Sequence, residues 1–415
     1  MSERRRHLLG LALIVLVALN LRPAITAVGP LLTEIRGDFG LSGTAAGALT
    51  TLPLVCFGAY GLLAPFLRRP PRSETLLVTS MTLLVAALLL RLLDAPAALF
   101  AGSLVAGVAI SVGNIAMPAI IKRDHPAAIP AVTALYSVAV TVGAAASSGF
   151  AVPVEKLLDG TWRLPLALLA VPAALAALGW LPALLRVRRR DRRPGMDRST
   201  TVVRPGSEVR RAVWTSKLAW QVTAFMGTQS LLAYVVIGWL PTIAQDRGLD
   251  EASAGYVLAL SSLMQAVGSL AVPVVARRFA DQRPLVVAVV ALSVVGFVGI
   301  GWAPVATVWG WAVVLGLAQG AGFAAALAFL GMRAHDAQIA AQLSGMAQGV
   351  GYVIAALGPL AIGALHDATH GWTVPLAVTT AIAVWLLLPG LAVGRDRAVG
   401  APAPAREEPA PRARA

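Results

Sequence analysis

Leu19-Asn-Leu-Arg-Pro-Ala-Ile-Thr-Ala-Val-Gly-Pro30 sets a charge and two prolines inside an apolar run that begins at Leu8. At about 1.5 Å per residue, Arg22 stands roughly 20 Å along a helix started at Leu8, a little past the middle of a bilayer. A guanidinium keeps its charge at neutral pH. At that depth such a residue normally faces a protein interior or a water-filled cavity. Pro23 and Pro30 lack the N–H groups that would bond the carbonyls of Leu19 and Thr26. Breaks of this kind are tolerated in membranes where neighbours or water take up the freed groups. Helical spacing puts Arg22, Thr26, Gly29 and Thr33 on one face, which reads as the wall of a polar cavity. The alternative is a structural arginine bonded to neighbouring helix carbonyls.

The rest of the 415-residue chain fits a membrane setting. It is 57% hydrophobic and 13% charged, where soluble domains carry about 25% charged residues. Mean hydropathy is +0.75. A net charge of +14 would suggest nucleic acid in a soluble chain. Here the basic residues fall in short segments between apolar runs, which points to topology and to no nucleic-acid partner. The single Cys56 excludes a disulfide framework and a cysteine metal site. The basic start resembles a signal peptide, but the run after it is too long and ends in no small-residue cleavage site, so it reads as an uncleaved first span.

Apolar runs long enough to cross occur at about 8–32, 44–67, 75–93, 96–121, 130–153, 163–185, 218–243, 253–276, 284–303, 306–331, 338–365 and 372–394. With the N-terminus in the cytoplasm, 28 of the 34 Lys and Arg residues lie inside, as the positive-inside rule requires. Both termini are then cytoplasmic, in a bacterial inner membrane. The expected architecture is an all-α membrane protein of twelve transmembrane helices in two pseudo-symmetric six-helix bundles. Residues 1–185 form the first bundle, 186–217 a basic cytoplasmic linker, 218–397 the second bundle and 398–415 a disordered tail rich in Ala, Pro and Arg. The linker's basic cluster serves as a topology anchor or meets anionic lipid heads.

The halves repeat. Gly40-Leu-Ser-Gly-Thr-Ala-Ala-Gly47 opens the second span as Gly248-Leu-Asp-Glu-Ala-Ser-Ala-Gly255 opens the eighth. Pro65 precedes Arg68-Arg69 as Pro273 precedes Arg277-Arg278. Lys122-Arg-Asp-His125 closes the fourth span and Arg333-Ala-His-Asp336 the tenth. Parallel halves around a mid-membrane site are a transporter architecture, whereas a membrane enzyme would need a metal cluster, a nucleophile–base pair or intramembrane acids. No Gly-x-x-x-x-Gly-Lys pattern supports nucleotide binding, and no cofactor is expected.

Asn20-Leu-Arg-Pro-Ala-Ile-Thr-Ala-Val-Gly-Pro30, Phe225-Met-Gly-Thr-Gln-Ser-Leu-Leu-Ala-Tyr234 with Trp239-Leu-Pro-Thr242, and Leu343-Ser-Gly-Met-Ala-Gln-Gly-Val-Gly-Tyr352 resemble the cyanate and nitroimidazole transporter (CynX/NimT) family of the major facilitator superfamily. The similarity runs from about Leu8 to Val393. It implies alternating access, a monomer, and small substrates, often anionic or nitrogen-rich. The superfamily's Gly-x-x-x-Asp-Arg loop after the second span has Pro65 in place of its aspartate, as Gly61-Leu-Leu-Ala-Pro65 shows. That leaves Arg68, Arg69, Arg277, Arg278 and Asp281 as the expected gating residues, with Asp281 serving the second half.

All twenty acidic residues and all five histidines lie outside the membrane core by this reading. Arg22 therefore has no carboxylate partner in the sequence, and an unpaired buried cation is costly. The expectation is that the substrate supplies the negative charge to a planar five-donor fork. Spans 1, 4, 7 and 10 line the cavity in the superfamily. Asn20, Arg22, Thr26, Asn114, Gln229, Tyr234 and Gln319 are therefore the expected substrate-binding residues, against the alternative of ordinary interhelical hydrogen bonds. Trp239 reads as an interfacial anchor, and Gln342 and Gln348 as packing residues beside Gly345 and Gly349. A proton as coupling ion would need Glu34 or the substrate itself to carry it. Broad-specificity drug efflux by the same fold is the alternative function.

Overall fold

A computed structural model describes residues 3–63, 72–158, 161–191, 207–276, 278–279 and 281–399. Among the described residues, twelve helices are long and apolar enough to cross a membrane. Spans 1 to 6 are Leu8–Thr26, Gly43–Leu63, Ser73–Leu90, Pro96–Asp124, Ala131–Leu157 and Arg163–Leu185. Spans 7 to 12 are Lys217–Asp246, Glu251–Ala276, Arg283–Trp302, Val305–Met332, Gln338–Thr369 and Thr373–Gly394. We call the end of the bundle that carries residue 3 the near end and the opposite one the distal end.

The two halves pack alike. Span 3 packs on spans 4 and 6, and span 2 on span 4. Likewise span 9 packs on spans 10 and 12, and span 8 on span 10. Span 1 lies on span 5 as span 7 lies on span 11. The halves meet through spans 2 and 11 and through spans 5 and 8. Small residues let these pairs approach, as is usual where lipid offers no hydrophobic drive to helix association. A Cβ on Gly61 would stand 2.9 Å from Gly349 Cα, and one on Gly255 would stand 2.8 Å from the Ser148 carbonyl oxygen.

Span 1 is broken where the prolines predict. Its first helix ends at Ala18, residues 19–22 form turns, and a single helical turn Pro23–Thr26 follows. A further helix, Leu32–Phe39, carries the chain to Gly40, whose φ of 62° suits a residue without a Cβ. The continuous polar face expected for Arg22, Thr26, Gly29 and Thr33 is therefore interrupted. Thr26 turns into the protein and bonds Ser147 of span 5, with the hydroxyl oxygens 2.7 Å apart.

One other expectation changes. Trp239 is no interfacial anchor: it is fully buried, and its indole N–H donates to the Pro359 carbonyl at 2.9 Å. Arg91, just past the end of span 3, is buried at 1% exposure and donates from Nη1 to the Ala24 carbonyl at 2.8 Å. Gln348 Nε2 donates to Ser344 Oγ of its own span at 2.8 Å.

Candidate functional site

The break in span 1 is held from three sides. Pro23 leaves the Leu19 carbonyl without a backbone donor among the described residues. That carbonyl lies against Gly143 of span 5, where a Cβ would collide with it. The Val28 N–H bonds Ile25 instead of Ala24, and Arg91 occupies the carbonyl so freed. Ser147 takes the Thr26 hydroxyl. These contacts fix the turn whose first residue, Arg22, is half-buried with φ −120° and ψ −29°.

Among the described residues, no carboxylate pairs with the Arg22 guanidinium and no hydrogen bond engages it. Its charge acts instead on the phenol oxygens of three tyrosines, Tyr136 of span 5, Tyr234 of span 7 and Tyr352 of span 11. Tyr136 and Tyr234 also act on Tyr352. The field of this one cation thus reaches phenols from both halves. Tyr136 O–H donates to Asn114 Oδ1 at 3.0 Å, and Asn114 is exposed. Tyr352 meets Phe57 of span 2 edge-on, with ring centroids 5.5 Å apart. The composition suits a planar polar or anionic ligand: a guanidinium fork for oxyanions or ring nitrogens, and hydroxyls that donate or accept.

Other expected site residues fall differently. Asn20 is buried and donates to the Leu16 carbonyl at 2.7 Å, and Thr26 is committed to Ser147, so both shape the break. Gln229 and Gln319 are buried in spans 7 and 10. Gln229 Nε2 donates to Ser230 Oγ at 2.8 Å. Among the described residues, Gln229 Oε1 and Gln319 Nε2 have no partner. The Gln229 oxygen lies 3.7 Å from the place a Cβ on Gly322 would take, one turn beyond Gln319. An acceptor and a donor are thus left open on facing spans, beside the tyrosine cluster in sequence but not joined to it. Tyr136 and Tyr352, polar groups deep in spans 5 and 11, were not among the expected substrate-binding residues, yet the charge of Arg22 bears on both. Their signal was a hydroxyl deep within an apolar span.

Arg68, Arg69 and Arg277 lie outside the described residues. Asp281 pairs with Arg283, at 3.2 Å from Nε, so its described partner is its own neighbour. The Arg278 N–H donates to the Val275 carbonyl at 3.0 Å. Arg123 pairs with Glu74 of span 3 at 2.6 Å and Arg333 with Asp396 at 3.2 Å, each within its own half. Burial lowers the Arg333 guanidinium against the pull of Asp396.

The contacts that join the halves through side chains at Thr33, Gly43, Thr44, Thr51, Gln245 and Lys156 all lie in the distal half. Thr33 Oγ1 donates to Gln245 Oε1 at 2.6 Å, and Thr51 Oγ1 to the Ala356 carbonyl at 2.9 Å. Gln245 Nε2 donates to the Pro30 carbonyl at 3.4 Å, and Lys156 pairs with Glu251 at 3.3 Å. At Gly29 a Cβ would stand 2.6 Å from the Ile237 carbonyl oxygen.

Two six-helix bundles around a polar centre define a solute-transport fold, and comparison with known proteins agrees. The profile of the Major Facilitator Superfamily matches residues 14–355 and again 230–414. The chain belongs to that superfamily: it is a multi-pass membrane transporter and not an enzyme. It is 37% identical over 400 residues to the 2-nitroimidazole transporter of Escherichia coli, covering 96% of this chain and 98% of that one. It is 31% identical over 379 residues to the cyanate transport protein CynX of the same organism, covering 91% and 95%. Its fold matches a mutant of the nucleoside transporter NupG with a TM-score of 0.74 at 14% identity, covering 93% and 99%.

Proposed function

We propose that this chain is a secondary active transporter of a small planar anion or azole, cyanate-like or nitroimidazole-like, and that Arg22 is the charge that holds the solute. One observation carries the reading. A half-buried guanidinium in the broken first span has no anionic partner among the described residues, and its charge bears on three phenols supplied by both halves. A desolvated cation left so is costly unless water or a bound anion compensates it. The named relatives are transporters of 2-nitroimidazole, a planar azole, and of cyanate, a small linear anion.

Transport proceeds by alternating access within one chain acting as a monomer. Side chains join the halves at the distal end, and spans 2 and 11 also touch toward the near end at Gly61 and Gly349. The excess of Lys and Arg in the near-end segments supports a cytoplasmic near end in the inner membrane.

The test is ligand binding by purified protein in detergent, read as thermal shift for cyanate, other small anions and nitroimidazoles. A ligand specific to the folded state raises its melting temperature by mass action. Wild type is expected to respond to at least one of them, Arg22→Ala to lose the shift, and Arg22→Lys to recover it poorly. Equal shifts in wild type and Arg22→Ala would refute the role of Arg22. Shifts only with bulky lipophilic cations would favour broad-specificity efflux.

A further inference from the structure

A short helix, Ser207–Thr215, precedes span 7 at the near end. Ser216 joins the two and caps span 7, its Oγ accepting from the Ala219 N–H at 3.4 Å. The short helix spends its apolar stripe inside the protein. Val213 is fully buried, Val209 packs against the same core, and the helix lies on span 11. What remains outside is basic and aromatic: Arg210, Arg211, Trp214, Lys217 and Trp220 are all exposed.

The two indoles are held together. Trp220 donates its N–H to the Trp214 carbonyl at 2.9 Å, and the rings meet edge-on with centroids 6.1 Å apart. Arg210 and Trp214 stand one turn apart on the same face of the helix. Among the described residues, no carboxylate pairs with Arg210, Arg211 or Lys217, and no hydrogen bond engages their side chains. Residues 207–217 carry those three positive charges against the single negative charge of Glu208.

Depth selects the partner. Span 7 begins at Lys217, so the indole pair stands at the near membrane surface, the level that tryptophan favours. Free basic side chains at that level meet lipid phosphates. A soluble acidic partner would answer the charges and leave the indoles without a role. A zwitterionic lipid would seat the indoles and leave the charges unmatched. We infer that Arg210, Arg211 and Lys217 bind the head-group phosphate of an anionic phospholipid in the near leaflet. Trp214 and Trp220 seat its glycerol and the first part of its acyl chains. The site depends on the position of span 7 in the membrane, and not on Arg22 or on the solute.

The experiment uses the full chain in a neutral detergent, titrated with short-chain phosphatidylglycerol, short-chain phosphatidylcholine or inorganic phosphate. Bound ligand is counted by native mass spectrometry. Wild type is expected to hold phosphatidylglycerol at least about tenfold more tightly than phosphatidylcholine. Arg210→Gln, Arg211→Gln and Lys217→Gln together should weaken phosphatidylglycerol by about twentyfold or more, since each charge near an anionic surface is worth roughly fivefold. Lys122→Gln, Arg395→Gln and Arg397→Gln together remove three other charges exposed at the near end. Salt screens charges outside the site, so this control should change affinity by less than about twofold. Trp214→Leu with Trp220→Leu keeps every charge and should weaken the lipid about threefold, because less apolar surface leaves water on binding. All the substituted side chains are exposed, so these variants should fold as wild type does. Equal losses in the two triple variants would overturn the site in favour of a general attraction between net charges. Equal affinity for the two lipids would overturn it, and so would wild-type affinity in the tryptophan variant. Inorganic phosphate bound as tightly as the lipid, and lost in the first triple variant, would make the cluster a free-phosphate site and remove the lipid from it.

Discussion

Asp367, at the last turn of span 11, caps the first turn of span 2 across the boundary between the halves: its Oδ1 accepts from Gly43 N and its Oδ2 from Thr44 N, each at 2.7 Å. Thr44 Oγ1 adds a third bond to Oδ2 at 2.9 Å. A carboxylate at a helix N-terminus satisfies orphan N–H groups and meets the positive end of the helix dipole. Here the cap belongs to the other half, so on the proposed alternating-access cycle it would be lost when the distal end opens. Asp367→Ala should cost about 1 kcal/mol of closure, roughly a fivefold shift toward the open population. Asp367→Asn keeps one acceptor and should cost less. Distance distributions between spin probes at Gly37→Cys and Thr369→Cys, in a Cys56→Ser background, check both, and an unchanged closed population in Asp367→Ala would remove the cap from the gate.

Gly143 faces the carbonyl that Pro23 sets free at Leu19. Interior backbone cannot move aside without repacking span 5, so added side-chain volume acts as overpacking. Gly143→Val should lower stability by about 1–3 kcal/mol and, by shifting the turn, displace Arg22. Gly37 has open space around it, so Gly37→Ala should stay within about 0.5 kcal/mol of wild type. Thermal unfolding of both variants in one detergent measures the contrast. Equal melting temperatures would mean that the break in span 1 is not held by span 5.

The span count, the two halves and the site of the break were legible because they are local. Hydropathy over about twenty residues fixes a crossing, and a proline frees a carbonyl whatever surrounds it. What was not legible is pairing over distance. Trp239 near the end of an apolar span has the sequence signature of an interfacial anchor, and only the approach of Pro359 buries it. Arg91 beside Asp94 resembles a loop charge, and only the freed carbonyl of Ala24 gives it a buried partner. Tyr136 and Tyr352 stand more than a hundred residues from Arg22, and no local pattern brings three phenols to one guanidinium. Thr26 was misplaced because helical spacing assumes a continuous helix, which Pro23 ends.

Arg91 is expected to act as a positioning residue for Arg22. Burial pushes its guanidinium down to about 10, which still leaves it charged at neutral pH. It has no carboxylate partner among the described residues, and a Cβ on Gly102 would stand 2.7 Å from its Cγ, so span 4 packs tightly over it. Arg91→Met keeps much of the volume but leaves the Ala24 carbonyl without its donor, at a cost of about 1–3 kcal/mol. Ligand affinity should fall with it, because the turn Pro23–Thr26 carries Arg22. A variant with lowered melting temperature but unchanged affinity would assign Arg91 to stability alone.

The three phenols should divide the binding energy unequally with Arg22. Phenylalanine retains the ring and its packing, so each Tyr→Phe variant removes only the hydroxyl. A neutral hydrogen bond contributes about 0.5–1.5 kcal/mol, so Tyr136→Phe, Tyr234→Phe and Tyr352→Phe should each weaken binding roughly twofold to tenfold. Tyr136 carries a second consequence: without its O–H, Asn114 Oδ1 loses the donor 3.0 Å away and the link between spans 4 and 5 loosens. Arg22→Ala removes a charge-assisted interaction and should cost more than any single phenol, about tenfold or beyond. Titration calorimetry with the ligand that gives the largest thermal shift ranks the four variants. If Tyr352→Phe and Tyr136→Phe bind as wild type does while Arg22→Ala does not, the guanidinium alone holds the solute and the tyrosines only shape the space around it.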